Sequence, residues 1–209
     1  MGPGPLIRRL FGPFEHAVTE AYRGIFVDLD EFVRLISAWV PEASGILEVG
    51  CGEGAVTERL VLAYPTALVT AIDISSKAGR LFRGEPSRVT FRQQTAEDVA
   101  RREPESFDLV ILADVIHNVP QNARHSLLDA IKRAMKPSGC LVFKDWLVSH
   151  TAMHWLCAAS DRYVSGEEVS YCTMDGIKLL LTHTFGVGSI RRLATLRKGR
   201  NNVVVLIQR

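Results

Sequence analysis

The run Ile46-Leu47-Glu48-Val49-Gly50-Cys51-Gly52-Glu53-Gly54 sets three glycines at alternate positions, directly after a short apolar stretch and directly before a helical pattern. Glycine permits a tight turn and close approach of backbone to a ligand, and a helix start offers free N–H groups. Asp73 follows Gly50 by 23 residues, at the end of the next apolar run, where a carboxylate can accept hydrogen bonds from both hydroxyls of a ribose. Together these features predict a nucleoside site. They leave its kind open, because Gly50, Gly52 and Ala55 also satisfy the dinucleotide pattern G-x-G-x-x-G/A. Glu48 separates the two cases: a carboxylate two residues before the first glycine repels a pyrophosphate but favours a cationic amino or sulfonium group.

A second group of polar residues follows the fourth and fifth apolar runs: Asp114, His117 and Asn118, then Lys144, Asp145 and Trp146. Imidazole is largely neutral near pH 7, so His117 is the first candidate for a general base. The competing reading is a histidine that hydrogen-bonds locally at a helix entry. His150 and His154 stand four residues apart on an expected helix and are alternative bases. Asp114 is a further catalytic candidate. The cysteines, Cys51, Cys140, Cys157 and Cys172, share no C-x-x-C spacing, which removes the usual zinc and dithiol signatures and implies reduced, structural thiols.

These side chains need a scaffold that brings strand ends together. From Ile46 onward, short apolar runs rich in β-branched residues alternate with amphipathic stretches, the pattern of a parallel sheet covered by helices on both faces. Strands are predicted over 46–49, 68–72, 89–93, 107–113, 140–144, 190–196 and 203–208. The fold class is α/β, a doubly wound, Rossmann-like, seven-stranded sheet. Helices are predicted over 55–64, 121–135 and 174–184, with Asn118 and Gln121 as a capping box, Pro120 in the first turn and a turn at Pro137-Ser138-Gly139. The last two strands are joined only through Lys198-Gly199-Arg200-Asn201, too short for a crossover helix, so they must pair antiparallel.

Two helices precede the sheet, one carrying Phe14, Val18, Ala21 and Ile25, the other Phe32, Val33, Ile36, Trp39 and Val40 up to Pro41. A single domain over 1–209 is expected, with N-terminal helices or lid (1–41), a cofactor core (46–145), an acceptor-side segment (146–171) and a C-terminal helix with the antiparallel pair (172–209). With 209 residues, 47% of them hydrophobic, the chain can bury one substantial core. A net charge of +2 gives no strong field for nucleic acid or anionic lipid. No apolar run near Met1 is long enough for a signal peptide or a membrane span, so a cytoplasmic, membrane-free protein is expected.

In order along the chain, these segments resemble the class I methyltransferase family from about Ile46 to Arg209. Leu47 to Gly54 looks like its E/D-x-G-x-G-x-G motif, Asp73 with Ile74 like its ribose-binding position, Thr95-Ala96-Glu97-Asp98-Val99 like its adenine-contacting turn, and Phe107 to Ala113 like its fourth strand. The family often has Asp where Thr95 stands, which would leave the adenine amino contact to a hydroxyl or to the backbone of Ala96. The resemblance implies S-adenosyl-L-methionine as cofactor, held by Glu48, Gly50, Cys51, Gly52, Gly54, Asp73, Ile74, Thr95, Ala96, Glu97 and Ala113, and it implies the reversed last strand. The likeness to metal-dependent catechol-type members is partial. Asp114 and Asp145 would hold Mg²⁺ there, but Trp146 replaces an amide, so a metal is not the expected cofactor. Ala113-Asp114-Val115-Ile116-His117 lacks D/N-P-P-Y/F, which argues against a nucleic-acid acceptor. The whole chain is similar to small actinobacterial-type O-methyltransferases, some of which act on saccharides or natural products.

The expected partner is therefore a small-molecule acceptor, a saccharide first, then a phenolic or carboxylic natural product, with Tyr22, Arg23, Trp155 and Tyr163 among the residues expected to meet it. Two rivals accompany this reading: a nicotinamide-dependent dehydrogenase, against which Glu48 speaks, and a noncatalytic module that retains S-adenosylmethionine. The oligomeric state is left open, a homodimer included.

Overall fold

The computed structural model describes residues 29–148, 170–196 and 201–209. The expected first helix (Phe14 to Ile25), the helix with His150 and His154, and the connection through Lys198 lie outside them. Five helices are described: α1 (Leu29–Trp39), α2 (Ala55–Ala63), α3 (Ala96–Arg102), α4 (Gln121–Ala134) and α5 (Met174–Phe185). The strands are β1 (Gly45–Val49), β2 (Leu68–Asp73), β3 (Val89–Gln93), β4 (Phe107–Ala113), β5 (Met135–Trp146), β6 (Ile190–Leu196) and β7 (Asn202–Gln208). They form one seven-stranded sheet in the order β3-β2-β1-β4-β5-β7-β6. β7 alone is reversed, pairing antiparallel with both β5 and β6. The doubly wound sheet and its reversed last strand are thus as the alternating pattern and the short final connection required.

The central strands read as continuous apolar runs because helices cover both faces. Leu47, Val49, Val110, Leu112, Leu141 and Phe143 pack with α3, α4 and α5, whereas Ile46, Leu109, Ile111 and Val142 belong to the cluster with Phe32, Val33 and Ile36 of α1 and Leu60 and Val61 of α2. The chain moves outward from β1 through β2 to β3, then returns to place β4 on the other side of β1. That reversal opens a crevice at the carboxyl ends of β1 and β4.

Two local expectations are corrected. Asn118 and Gln121 form no capping box: Asn118 ends a single 3₁₀ turn (Ile116–Asn118), and Pro120 occupies the cap of α4 with no side-chain hydrogen bond. The segment Pro137-Ser138-Gly139 is not a separate turn but a bulge inside β5. Met135 already pairs with Phe107, and the register shifts before Leu109 meets Cys140. A Cβ at Gly139 would stand 3.0 Å from the carbonyl oxygens of both Lys136 and Phe107, so the bulge excludes a side chain there. The sequence pattern could not separate turn from bulge, since both call for glycine. Helix α3 is an element additional to those expected.

At the opposite end of the sheet, Asp108 fastens β4 to the start of β1. One oxygen accepts from the Ser44 hydroxyl (2.6 Å) and from the backbone N–H groups of Ser44 and Gly45, and the other meets Lys136 Nζ at 2.7 Å. Burial alone would raise this carboxyl, but the hydrogen bonds from Lys136, Ser44 and Gly45 outweigh it and hold it well below the usual carboxylate range. A depressed folded-state value contributes stability that is complete above the unfolded-state value and disappears as pH falls through the folded one. Thermal melts should therefore show Asp108→Asn less stable than the wild-type protein at pH 7, with a flatter loss of stability between roughly pH 4 and 2.

Candidate functional site

The glycine loop owes its path to two constraints. Gly50 has φ 75°, and a Cβ on it would stand 2.3 Å from Cγ2 of Val115, so neither the dihedral nor the space admits a side chain. The N–H groups of Gly50 and Cys51 both donate to the Ile72 carbonyl, which pins the loop to the end of β2. Gly52, at φ 50°, has no atom within 4 Å of where its Cβ would lie and faces open space. Gly54, at φ 96°, caps α2.

A cavity of about 710 Å³ opens here, at the carboxyl ends of β1, β2, β3 and β4. Of the residues assigned to the cofactor from sequence, Gly50, Gly52, Asp73, Ile74, Thr95, Ala96 and Glu97 line it. Asp73 holds the loops on either side: Oδ2 accepts from the Gly52 N–H and Oδ1 from the Ser75 N–H, each at 2.8 Å. A carboxylate has about four lone-pair sites, so both oxygens keep capacity for a further donor. Ile74 is 77% exposed beside it, an apolar side chain free to cover a flat ligand. Thr95 has a different local role from the one expected. Its hydroxyl accepts from the Asp98 N–H while the Asp98 carboxylate faces back to the Thr95 N–H, a capping box that starts α3. Asp98, read from sequence within the adenine-contacting turn, is thereby a capping residue.

Glu48, Cys51, Gly54 and Ala113 do not line the cavity. The Glu48 carboxyl turns toward α2, accepting from the Thr57 hydroxyl at 2.6 Å, and is 3% exposed. Burial pushes it up to about 8, only partly offset by the Thr57 hydrogen bond, with the Asp73 charge raising it further. Near neutral pH Glu48 is thus a buried acid that braces α2 behind the glycine loop, rather than the fixed negative charge that its sequence position suggested. Cys51 is a buried thiol, pushed up chiefly by burial, in keeping with the structural reading. Ala113 pairs with Lys144 and packs toward the α1 and α2 side. Sequence reasoning missed Ser75, Gln94, Val115, Val119, Ala123 and Leu127, all of which line the cavity. Ser75 and Gln94 are sequence neighbours of Asp73 and Thr95 and could have been found by that adjacency; the apolar ones carry no signal beyond helix or strand periodicity.

On the acceptor side, Asp114 lines the cavity with φ 57°, a left-handed conformation that Asp tolerates better than most residues. Its Oδ2 meets Lys144 Nζ at 2.5 Å, and its N–H donates to the Lys144 carbonyl. Lys144 is fully buried, with Nζ 6.0 Å from the ring centre of Phe32 and 5.7 Å from that of Trp146. Asp145 points to the other face of the sheet. Its Oδ1 lies 2.5 Å from His117 Nδ1 and accepts from the Trp146 N–H, while Oδ2 accepts from the His117 N–H. The two carboxylates named from sequence as a metal pair are therefore committed to different partners, Lys144 and His117, on opposite faces, and among the described residues no group of three His, Cys, Asp or Glu side chains could hold a metal. This donor set does not fit Mg²⁺, so the metal assignment is withdrawn. His117 is 7% exposed, sits in the 3₁₀ turn between the cavity-lining Val115 and Asn118, and stacks on Tyr171 with ring centres 5.3 Å apart. The local hydrogen bonding of the alternative reading is present, in a form that orients an imidazole. His150 and His154 lie outside the described residues.

Residues 46–139 match the family model described as a methyltransferase domain. They are a class I methyltransferase domain. Domains of this class take S-adenosyl-L-methionine, and the hydride-transfer reading is overturned by that match. A ubiquinone biosynthesis O-methyltransferase of Pseudomonas syringae pv. tomato is 34% identical over 127 residues, which cover 56% of this chain and 53% of the relative. Its counterpart in Pseudomonas paraeruginosa is 36% identical over 123 residues, 54% of this chain and 51% of the relative. The chain thus spans about half the length of the curated relatives it matches. Among solved structures, a Burkholderia thailandensis 1,6-didemethyltoxoflavin-N1-methyltransferase superposes with TM-score 0.67 at 14% identity, over 98% of this chain and 87% of that one. A Methanosarcina mazei S-adenosylmethionine-dependent methyltransferase gives 0.64 at 22%, over 83% and 96%. At these identities the likeness concerns the fold.

Two outcomes follow for the methyltransferase domain. Gly50→Ala should weaken S-adenosylhomocysteine binding by at least tenfold in calorimetry, because the added carbon displaces either Val115 or the loop. A carboxyl raised in the folded state contributes most below its unfolded value and costs stability as pH climbs through the folded one. Between pH 4.5 and about 8 the ligand-free protein should therefore lose stability through Glu48, and Glu48→Gln should flatten that slope in thermal melts across the range.

Proposed function

We propose that this chain is an O-methyltransferase that transfers a methyl group from S-adenosyl-L-methionine to a hydroxyl of a small acceptor, with His117 as general base. The observation that carries the reading is the buried His117–Asp145 pair at the carboxyl ends of β4 and β5, in a turn whose Val115 and Asn118 line the cavity by the glycine loop. A lining that includes Asp73, Gly50, Gly52, Ile74 and Ala96 suits the cofactor: hydroxyls to the carboxylate, the flat base against apolar side chains. When bound, S-adenosylmethionine supplies a methyl carbon activated by positive sulfur.

The chain's own work is alignment and removal of one proton. A carboxylate at Nδ1 holds the imidazole proton there, which leaves Nε2 as the basic nitrogen. Asp145 stabilises the imidazolium as His117 takes the proton from the acceptor hydroxyl. The Lys144–Asp114 pair supports a second candidate, since Asp114 lines the cavity and its Oδ1 is buried with no hydrogen-bond partner among the described residues. No metal takes part in this scheme.

The acceptor class proposed is a saccharide hydroxyl, for the aromatic and hydrogen-bonding side chain of Tyr171 stacked on His117. The relatives named for ubiquinone biosynthesis favour a second reading, a ring hydroxyl. A screen with methyl-labelled cofactor across sugars, phenols, carboxylic acids and amines tests this choice, and label transfer to none of them would favour a noncatalytic cofactor-binding role. With the acceptor in hand, His117→Ala should slow turnover by roughly 10²- to 10⁴-fold with cofactor affinity unchanged, and turnover should persist in EDTA. Wild-type turnover in His117→Ala moves the assignment to Asp114, to be tested with Asp114→Asn.

A further inference from the structure

Arg124 of α4 is only 4% exposed, yet among the described residues none of its partners is a carboxylate. Its Nε donates to the Val119 carbonyl at 2.9 Å, one Nη donates to the Ser170 carbonyl at 2.7 Å, and the other lies 2.9 Å from Cys172 Sγ. A buried cation with only neutral acceptors is costly to hold, and the planar guanidinium is the side chain that can bind several acceptors in fixed directions at once. Here it joins the connection after the 3₁₀ turn to a segment 46 to 48 residues further along the chain.

The residue between the two distant anchors is Tyr171, whose ring stacks on His117 at 5.3 Å with 30° between the planes. Ser170 adds a bond from its N–H to the His117 carbonyl. His117 is thus restrained along two independent directions. Asp145 holds Nδ1 in the ring plane, and Tyr171 holds the face of the ring. The first restraint comes from the sheet, whereas the second stands on a connecting segment that approaches α4 through the Arg124 guanidinium.

We propose that Arg124 is a positioning residue that acts on His117 through Tyr171, by clamping Ser170 and Cys172 so that the tyrosine ring stays against the imidazole. This rests on the reading of His117 as base for its purpose, but not for its test. A stacked ring displaces the proton resonances of its neighbour, so the His117 ring signals in a ¹³C-resolved NMR spectrum report the stacking without any acceptor.

Tyr171→Ala should move the His117 ring resonances from their wild-type positions. Arg124→Gln should move them in the same direction, with S-adenosylhomocysteine binding unchanged, and the double variant should go no further than Tyr171→Ala alone. Arg124→Lys keeps the charge but cannot reach three acceptors, so it should give a partial displacement; it also serves if the glutamine variant does not fold. Wild-type His117 resonances in a cooperatively melting Arg124→Lys or Arg124→Gln protein would overturn the proposal. So would resonances unmoved in Tyr171→Ala, or displacements that simply add in the double variant. Failure of His117 as base would appear separately, as full turnover in His117→Ala with these displacements intact.

Discussion

The two-sided burial of β1, β4 and β5 is the constraint from which the other features of this molecule follow. Leu109 to Leu112 are fully buried, alternately against α1 with α2 and against α3 with α4, so no face of the central sheet is left for a polar side chain. Charged groups can then appear only where the strands end. Parallel β1, β2, β3 and β4 all end on one side, and the reversal of chain direction between β1 and β4 prevents the following helices from closing over that edge. The cavity, Asp73, Asp114 and the His117–Asp145 pair lie at that edge because it is the place in the fold that can hold them.

Three of the polar groups that enter the interior are held in pairs: Glu48 with Thr57, Lys144 with Asp114, and Asp145 with His117. Such burial contributes little to net stability and is costly when one partner is lost. Its consequence is geometric. Each pair ties an element of the sheet to the helix or connection above it, and all of them stand on the side of the molecule where strands end. The opposite end is held differently, by the Asp108 cluster of more exposed hydrogen bonds.

Adjacent residues on β5 illustrate how alternation divides labour. Lys144 and Asp145 are neighbours in sequence, so their side chains go to opposite faces. One enters the space beneath α1 and pairs with Asp114; the other enters the α4 side and orients His117. A single-residue slip of β5 would exchange them, and the antiparallel pairing with β7, continuous from Cys140 to Trp146, resists that slip.

Hydrophobic periodicity and glycine chemistry were enough to read the strand order of events along the chain, the reversed final strand and the loop around Gly50 with Asp73, because each depends on residues close in sequence or on a connection too short for an alternative. Tertiary structure alone decided the direction of the Glu48 side chain, the commitment of the Thr95 hydroxyl to Asp98, and the separation of Asp114 from Asp145. Position in the chain tells which strand end a residue occupies; it does not tell which face the side chain takes or which neutral or charged group already waits there. Arg124 is the clearest case. Two of its three acceptors lie 46 and 48 residues further along the chain, so nothing in the local pattern Asn122-Ala123-Arg124-His125 distinguishes it from a solvated helix arginine.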